Sequence, residues 1–197
     1  MNSRSFERFA GFSGFLAGLS GFLYSVAFIL LQNNLLSDLF LALGGLFTTA
    51  VLTGVYGRLR QTDPLFALWA FLLGIAGGIG AAVHGGYDLA NAINPPAEFV
   101  MELPNPVDPR GLLTFGIAGM AVIVISWLIG RGKGFPKGLS YLGYLLGFLL
   151  ILLYLARLIV LAPTNPLILV PALLTGFLIN PFWYLWLGYS LWRSGDE

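Results

Sequence analysis

Residues 65–87 read LFALWAFLLGIAGGIGAAVHGGY, an apolar run of the length that an α-helix needs to cross the hydrocarbon of a bilayer. Small residues recur at every fourth position of this run, at Ala70, Gly74, Gly78, Ala82 and Gly86. In lipid, helices associate through close packing of small residues, because apolar side chains gain nothing by leaving an apolar solvent. The stretch therefore predicts a spanning helix at the centre of a bundle, approached closely by the first span with its own Ala10, Gly14 and Gly18.

The composition of the whole chain also indicates a membrane protein. Of its 197 residues, 57% are hydrophobic and 10% are charged, whereas a soluble domain carries roughly a quarter charged residues. With no Cys and one His, the chain cannot form disulfides, thiolate metal sites or multi-histidine metal sites by itself. A net charge of +1 without a basic cluster argues against nucleic acid as a partner. We predict no cofactor, and the bilayer as the main partner.

Five further apolar runs of similar length occur in the chain. Together with residues 65–87 they predict an all-α fold with six transmembrane helices in a single domain covering residues 1–197. The spans are predicted at about 9–31, 36–56, 65–87, 111–130, 139–161 and 167–192. Runs of Gln, Asn, Gly and Pro separate them. The one longer connection, residues 88–110, carries several prolines and acidic residues; it is either a stiff connector, with a short helix over 97–103, or a lid.

The basic residues predict the orientation in the membrane. Eight of them fall on the side that would hold both termini: Arg4, Arg8, Arg58, Arg60, Arg131, Lys133, Lys137 and Arg193. The opposite side has Arg110 alone. Because Lys and Arg accumulate in cytoplasmic loops, we expect a protein of the cell membrane with both termini cytoplasmic. The five Trp residues map to the same half of their helices, which predicts an aromatic belt at that interface.

Four ionisable residues are predicted to share one layer near the outer ends of the spans: Asp38, His84, Asp88 and Arg157. His84 and Asp88 are one helical turn apart, so both side chains lie on one helix face. The layer could relay protons, or bind a lipid headgroup or a small solute. Alternatively, Arg157 is neutralised by Asp88 or Asp38 and ties helices together, or it extends to the headgroups.

A second candidate polar site lies at mid-membrane depth in the sixth span. Pro171 and Pro181 each remove a backbone hydrogen bond, and Asn180 needs a partner inside the hydrocarbon. Thr48, Thr49 and Thr53 of the second span are the expected partners. Carbonyls freed by the kinks could coordinate a cation or a substrate, or neighbouring helices could absorb the kinks without binding anything.

Three functions follow from these sites. The first is a non-enzymatic accessory or sensor bundle whose outer layer binds a lipid headgroup, a small solute or a membrane-protein partner. The second is a small carrier built on a 3+3 inverted repeat, in which the sequence at Pro64 is echoed at Pro166. The third is an enzyme that pairs His84 with Ser20 or Ser25. Because the inner half of the spans offers few polar side chains, the first is favoured, and catalysis is not expected.

Overall fold

The computed structural model of the protein describes residues 3–95, 108–160, 162 and 164–194. These residues form helices and turns, and no strand occurs among them. Six helices are long and apolar enough to cross a membrane, as predicted: α1 (Arg4–Leu30), α2 (Asn34–Leu59), α3 (Pro64–Ile93), α4 (Leu112–Arg131), α5 (Lys137–Ile159) and α6 (Pro166–Arg193).

The polar breaks between spans act as helix caps. The Asn33 side chain accepts a hydrogen bond from the backbone of Leu36, and Asp63 accepts one from Phe66. Asn165 caps α6 in the same manner. Pro64 and Pro166 each follow a cap residue, at a position where the missing N–H costs no hydrogen bond. These caps explain why the helices begin where the sequence changes from polar to apolar.

The third helix is longer than predicted and continues to Ile93. Asp88 is therefore part of α3 and does not begin the connection to α4. No glycine or proline interrupts the chain between Asp88 and Asn94, so nothing local stops the helix there. The predicted short helix over 97–103, and with it the predicted lid, lie outside the described residues.

The six helices form a ring in which each packs on its neighbours in the sequence and α6 returns to α1. Contacts between Gly11 and Trp192 place both chain ends on one face of the bundle, here called the termini face, together with the α2–α3 and α4–α5 turns. The opposite face, here called the loop face, carries the other three connections.

Glycines set the closest approaches between helices. A Cβ placed on Gly45 of α2 would lie 2.5 Å from the Gly78 carbonyl of α3, and one on Gly14 of α1 would lie 2.6 Å from the Cα of Gly188 in α6. Small residues thus join helices, as predicted, but α3 is one member of the ring and not its centre, and its predicted contact with the first span is wrong. The glycine face of α1 packs on α6 rather than on α3, because Gly188 allows the two backbones to touch.

An apolar core fills the half of the bundle next to the termini face. It includes Val51, Leu52, Val55, Ile125, Leu128, Ile129, Leu139, Leu146, Trp183 and Leu187. Trp183 is fully buried in this core, so it does not belong to the predicted interfacial belt, whereas Trp69, Trp186 and Trp192 are exposed. The core closes the ring at this end.

Arg58 fastens the helices at the termini face. Its guanidinium pairs with Glu7 at 3.0 Å and lies over the ring of Phe135. It also donates hydrogen bonds to backbone carbonyls of the α4–α5 turn and of α6, those of Gly134, Ser190 and Leu191. One largely buried cation thus joins four segments of chain.

The half of the bundle next to the loop face contains three π-helical segments: Val26–Leu30 in α1, Leu112–Ile117 in α4 and Leu174–Ile179 in α6. Proline accounts for the third one. Pro181 has no N–H to offer the carbonyl one turn back, and the backbone N–H of Asn180 bonds to Thr175 five residues earlier. Helix geometry is therefore regular next to the termini face and interrupted next to the loop face.

Candidate polar site at the loop face

Three helices bring polar side chains together at the loop face. α3 carries His84 and Asp88 on adjacent turns, and the turn before α4 contributes Asp108 and Arg110. Gly85 lets α2 come close, since a Cβ at this position would lie 2.5 Å from the carbonyl oxygen of Asp38. We call His84, Asp88, Asp108, Arg110 and Thr114 the loop-face cluster.

Arg110 is bound by two carboxylates. Its Nη2 lies 2.6 Å from Asp108 Oδ2, and its Nη1 lies 2.8 Å from Asp88 Oδ1. The backbone N–H of Arg110 also donates to Asp108, and the guanidinium lies over the ring of Tyr87. The start of α4 is thus attached to the end of α3 by a charged fork, a strong type of hydrogen-bonded ion pair.

His84 lies between the carboxylates and a hydroxyl. Its Nε2 is 3.3 Å from Asp88 Oδ2 and 3.5 Å from Asp108 Oδ2, and its Nδ1 is 3.4 Å from Thr114 Oγ1. The Thr114 hydroxyl donates its own proton to the Arg110 carbonyl. An oxygen therefore faces each ring nitrogen, and the carboxylates of Asp88 and Asp108 both lie on the Nε2 side.

The two cluster residues outside the spans have shifted pKa values. Partial burial alone would raise the pKa of Asp108, but hydrogen bonds from Arg110 and the guanidinium charge outweigh it and lower this pKa. The pKa of Arg110 is raised above its ordinary value, because hydrogen bonds to Asp108 and Asp88 outweigh partial desolvation. Both shifts favour the charged pair.

Asp38 borders the cluster without joining its hydrogen bonds. Its carboxylate interacts electrostatically with Asp88, His84 and Arg110, and it accepts a hydrogen bond from Ser37. Tyr24 of α1 lies within the electrostatic range of Asp38 and Asp88, and its ring stacks on Phe28 at 5.6 Å. Among the described residues, no cation is in ion-pair contact with Asp38.

The cation that pairs with Asp88 is Arg110 rather than Arg157. Arg157 is half-buried in the last turn of α5, at the loop face. The structure places Asp38, His84 and Asp88 near one another at the loop face. Asp108, Arg110 and Thr114 were missed by the sequence analysis. The signal that could have found them is the Asp-Pro-Arg turn immediately before an apolar run.

The predicted mid-membrane residues do not converge on one another. Thr48 bonds to the Tyr184 hydroxyl at 3.1 Å, while Thr49 and Thr53 donate to carbonyls of their own helix. Asn180 lies against α1, where a Cβ on Gly21 would be 2.5 Å from its Nδ2. The threonines are therefore bonded within the bundle and do not form a shared site with Asn180.

Neither serine proposed for catalysis contacts His84 within the described part of the chain. The Ser25 hydroxyl donates to the Gly21 carbonyl, and the partners of His84 are two carboxylates and a threonine. No group of three His, Asp or Glu side chains among the described residues is arranged to hold a metal ion. At the cluster, Arg110 already lies between the two carboxylates.

Comparison of the chain with protein-family models, with curated proteins and with solved structures finds no match. Function therefore has to be inferred from the side chains themselves.

Proposed function

We propose that this chain is a non-enzymatic, multi-pass membrane protein that binds an amine-bearing group, such as a lipid headgroup, at the loop-face cluster. Its basic residues support an orientation with both termini in the cytoplasm and the loop face outside. Binding is proposed rather than transport or catalysis. The threonines expected along a transport path are bonded within the bundle, and His84 faces carboxylates instead of a serine.

The observation that carries this proposal is the excess of negative charge on the cluster together with the neighbouring Asp38. The three carboxylates of Asp38, Asp88 and Asp108 face one guanidinium, so the group stays negative even with His84 protonated. A half-buried charge without a counter-ion is costly at the edge of a bilayer. A bound ammonium would supply the missing positive charge and donate hydrogen bonds to Asp38.

The ion pairs of Arg110 have a different role, because they already satisfy both Asp108 and one oxygen of Asp88. They hold α3 and the start of α4 together, so the cluster keeps its shape without a ligand. The remaining binding capacity lies at Asp38, whose carboxylate is close enough to Tyr24 to interact with it electrostatically.

Thermal unfolding of the purified protein in detergent, titrated with ethanolamine, tests the proposal. Ethanolamine is expected to raise the unfolding temperature with an affinity on the order of millimolar, the range for a ligand of this size. Asp38→Asn should abolish the shift. Asp63→Asn is the matched control, because Asn caps a helix as well as Asp does and the site is at the termini face.

Two results would contradict the proposal: no shift in the wild-type protein, or an undiminished shift in Asp38→Asn. Sodium chloride at the same ionic strength separates binding from charge screening.

A further inference from the structure

α1 and α6 separate from each other on the way to the loop face. They pack as an antiparallel pair in which Gly14 opposes Gly188, Gly21 opposes Asn180 and Ser25 opposes Gly176. Beyond Ser25 the pairing stops. Val26–Leu30 packs against α2, and Pro166–Leu173 packs against α5. Within the described structure these two segments have at most slight contact with each other, and we call the space between them the seam.

The interrupted helix geometry explains the seam. One wall is a π-helical segment of α1, and the other wall ends at the π-helical segment of α6. Pro171 is buried inside the outer part of α6, where its ring prevents a regular hydrogen bond and crowds the preceding turn. The outer part of α6 therefore follows α5 and leaves α1.

Both walls of the seam are entirely apolar. Val26–Leu30 reads VAFIL and Pro166–Leu173 reads PLILVPAL. Below the seam, the lipid-facing side of the same helix pair is indented by an apolar groove of about 280 Å³, lined by Gly18, Leu19, Phe22, Pro181, Phe182 and Leu185. An apolar surface thus continues from the loop face towards the middle of the bundle.

The length of this surface indicates which kind of molecule could bind along it. From Leu30 to Gly18 the α1 backbone rises about 18 Å, which is close to one leaflet of a bilayer with a hydrocarbon core about 30 Å thick. A spanning helix of another protein would need a surface along the full thickness. An acyl chain of one leaflet needs only this depth.

The seam also lies beside the loop-face cluster. Tyr24 and Phe28 are stacked on the α1 side, and Tyr24 interacts electrostatically with Asp38 and Asp88. A molecule with an ammonium group at Asp38 and an apolar chain in the seam would extend along this aromatic pair. Charge at one end and apolar walls at the other match a phospholipid with an amine headgroup.

We propose that the seam holds one acyl chain of an amine-bearing phospholipid whose headgroup occupies the loop-face cluster. This inference rests on the proposed function for its headgroup contact. It adds the ligand class, a two-part amphiphile from the leaflet at the loop face, and it adds the path of entry, sideways from the membrane.

Cysteine crosslinking tests the shape of the seam, since the natural chain has no cysteine. The register that pairs Ser25 with Gly176 would place Ile29 opposite Ala172. In membranes, the double variant with Ile29→Cys and Ala172→Cys should resist disulfide formation and be joined only by a longer bis-maleimide. The control pair is Ser25→Cys with Gly176→Cys, which should oxidise directly because a Cβ on Gly176 would lie 2.9 Å from the Cβ of Ser25. Equal oxidation of both pairs would mean that no seam exists.

Native mass spectrometry tests its occupant. Protein from nanodiscs of phosphatidylethanolamine and phosphatidylglycerol should retain the amine lipid preferentially. Ala172→Trp, which fills the seam, should lose the retained lipid but keep the unfolding shift with ethanolamine. Leu178→Trp, on an exposed position of the same helix, should keep both. Retention of the amine lipid by Ala172→Trp would overturn the seam proposal alone. Absence of the ethanolamine-induced shift in unfolding temperature in the wild-type protein would overturn the proposed function.

Discussion

The closest contacts in this bundle depend on residues that lack a Cβ atom. Gly143 of α5 is the sharpest case, because a Cβ there would press against Ser126 Oγ and lie 2.7 Å from the indole nitrogen of Trp183. Both neighbours are fully buried. Gly86, in contrast, has no atom within 4 Å of such a Cβ. Glycines that look alike in the sequence therefore differ in what they contribute.

Gly143→Ala should destabilise the protein by roughly 1–3 kcal/mol, the usual cost of overpacking a well-filled core. Gly86→Ala is the control and should leave stability unchanged or raise it slightly, because Ala favours the helix over Gly. Denaturation of both variants in detergent, followed by circular dichroism, measures the difference. Equal stabilities of the two variants would show that the contact at Gly143 relaxes without cost.

At this scale the sequence predicted only part of the cluster. His84 and Asp88 could be paired because an i, i+4 spacing on a helix fixes their relation. Arg110 could not be paired with Asp88, because the two are joined by a connection whose path no periodicity describes. Arg157 was preferred as the cation because the helical rise correctly gives its depth along the bundle axis. Depth alone does not show which neighbouring helix a side chain faces.

At the scale of elements, an ion-pair fork at the loop face adds to the packing of Ala118 on Gly77 in joining α4 to α3. Arg110 is held by Asp108 from its own turn and by Asp88 from α3. The lowered pKa of Asp108 makes this attachment dependent on pH. The stabilisation is fully present above the unfolded-state pKa of about 3.9 and is lost as the pH falls through the lower folded-state value.

Asp108→Asn should therefore be less stable than the wild type near neutral pH, and the difference should shrink below about pH 4. The effect should be small, since the Asp108 side chain is 38% exposed and is screened by solvent. Unfolding temperatures of both proteins across an acid titration give this difference directly, because the other carboxylates contribute equally to both. A difference that does not vary with pH would rule out the ion pair as its source.

Element boundaries were predictable wherever local chemistry sets them. Asn33, Asp63 and Asn165 cap their helices where the polar breaks indicated. The end of α3 was not predictable, since no breaking residue stands between Asp88 and Asn94. The kinks in α6 were expected from Pro171 and Pro181. Their effect on the bundle depends on which helix each half of α6 packs against, and this packing is decided by tertiary contacts that the local sequence does not show.

At the scale of the whole molecule, the bundle has two unlike halves. The half near the termini face is closed by an apolar core and by Arg58, whereas the half near the loop face contains π-helical segments, charged residues and the seam. The sequence predicted six helices because lipid makes long apolar runs necessary. It did not predict the closure of the ring, since contacts between the first and last spans depend on matching glycine positions far apart in the chain.

Single-cysteine labelling tests the proposed orientation in intact cells. Asn94→Cys at the loop face should react with a membrane-impermeant maleimide, and Arg60→Cys at the termini face should react only after permeabilisation. Ile79→Cys, exposed in the middle of α3, should stay unlabelled in both conditions and controls for entry of the reagent into lipid. Labelling of Arg60→Cys in intact cells would show that the termini face lies outside the cell, which is the reverse of the proposed orientation.

The contact between Gly14 and Gly188 has a consequence for biosynthesis. In the proposed membrane topology the first span inserts early, but the surface that it needs belongs to α6, so its glycine face stays uncovered until the ribosome has made α6. A truncated product that stops after the fifth span would display that face permanently. Such fragments should be recognised by membrane quality control, because an unfilled helix surface invites wrong partners.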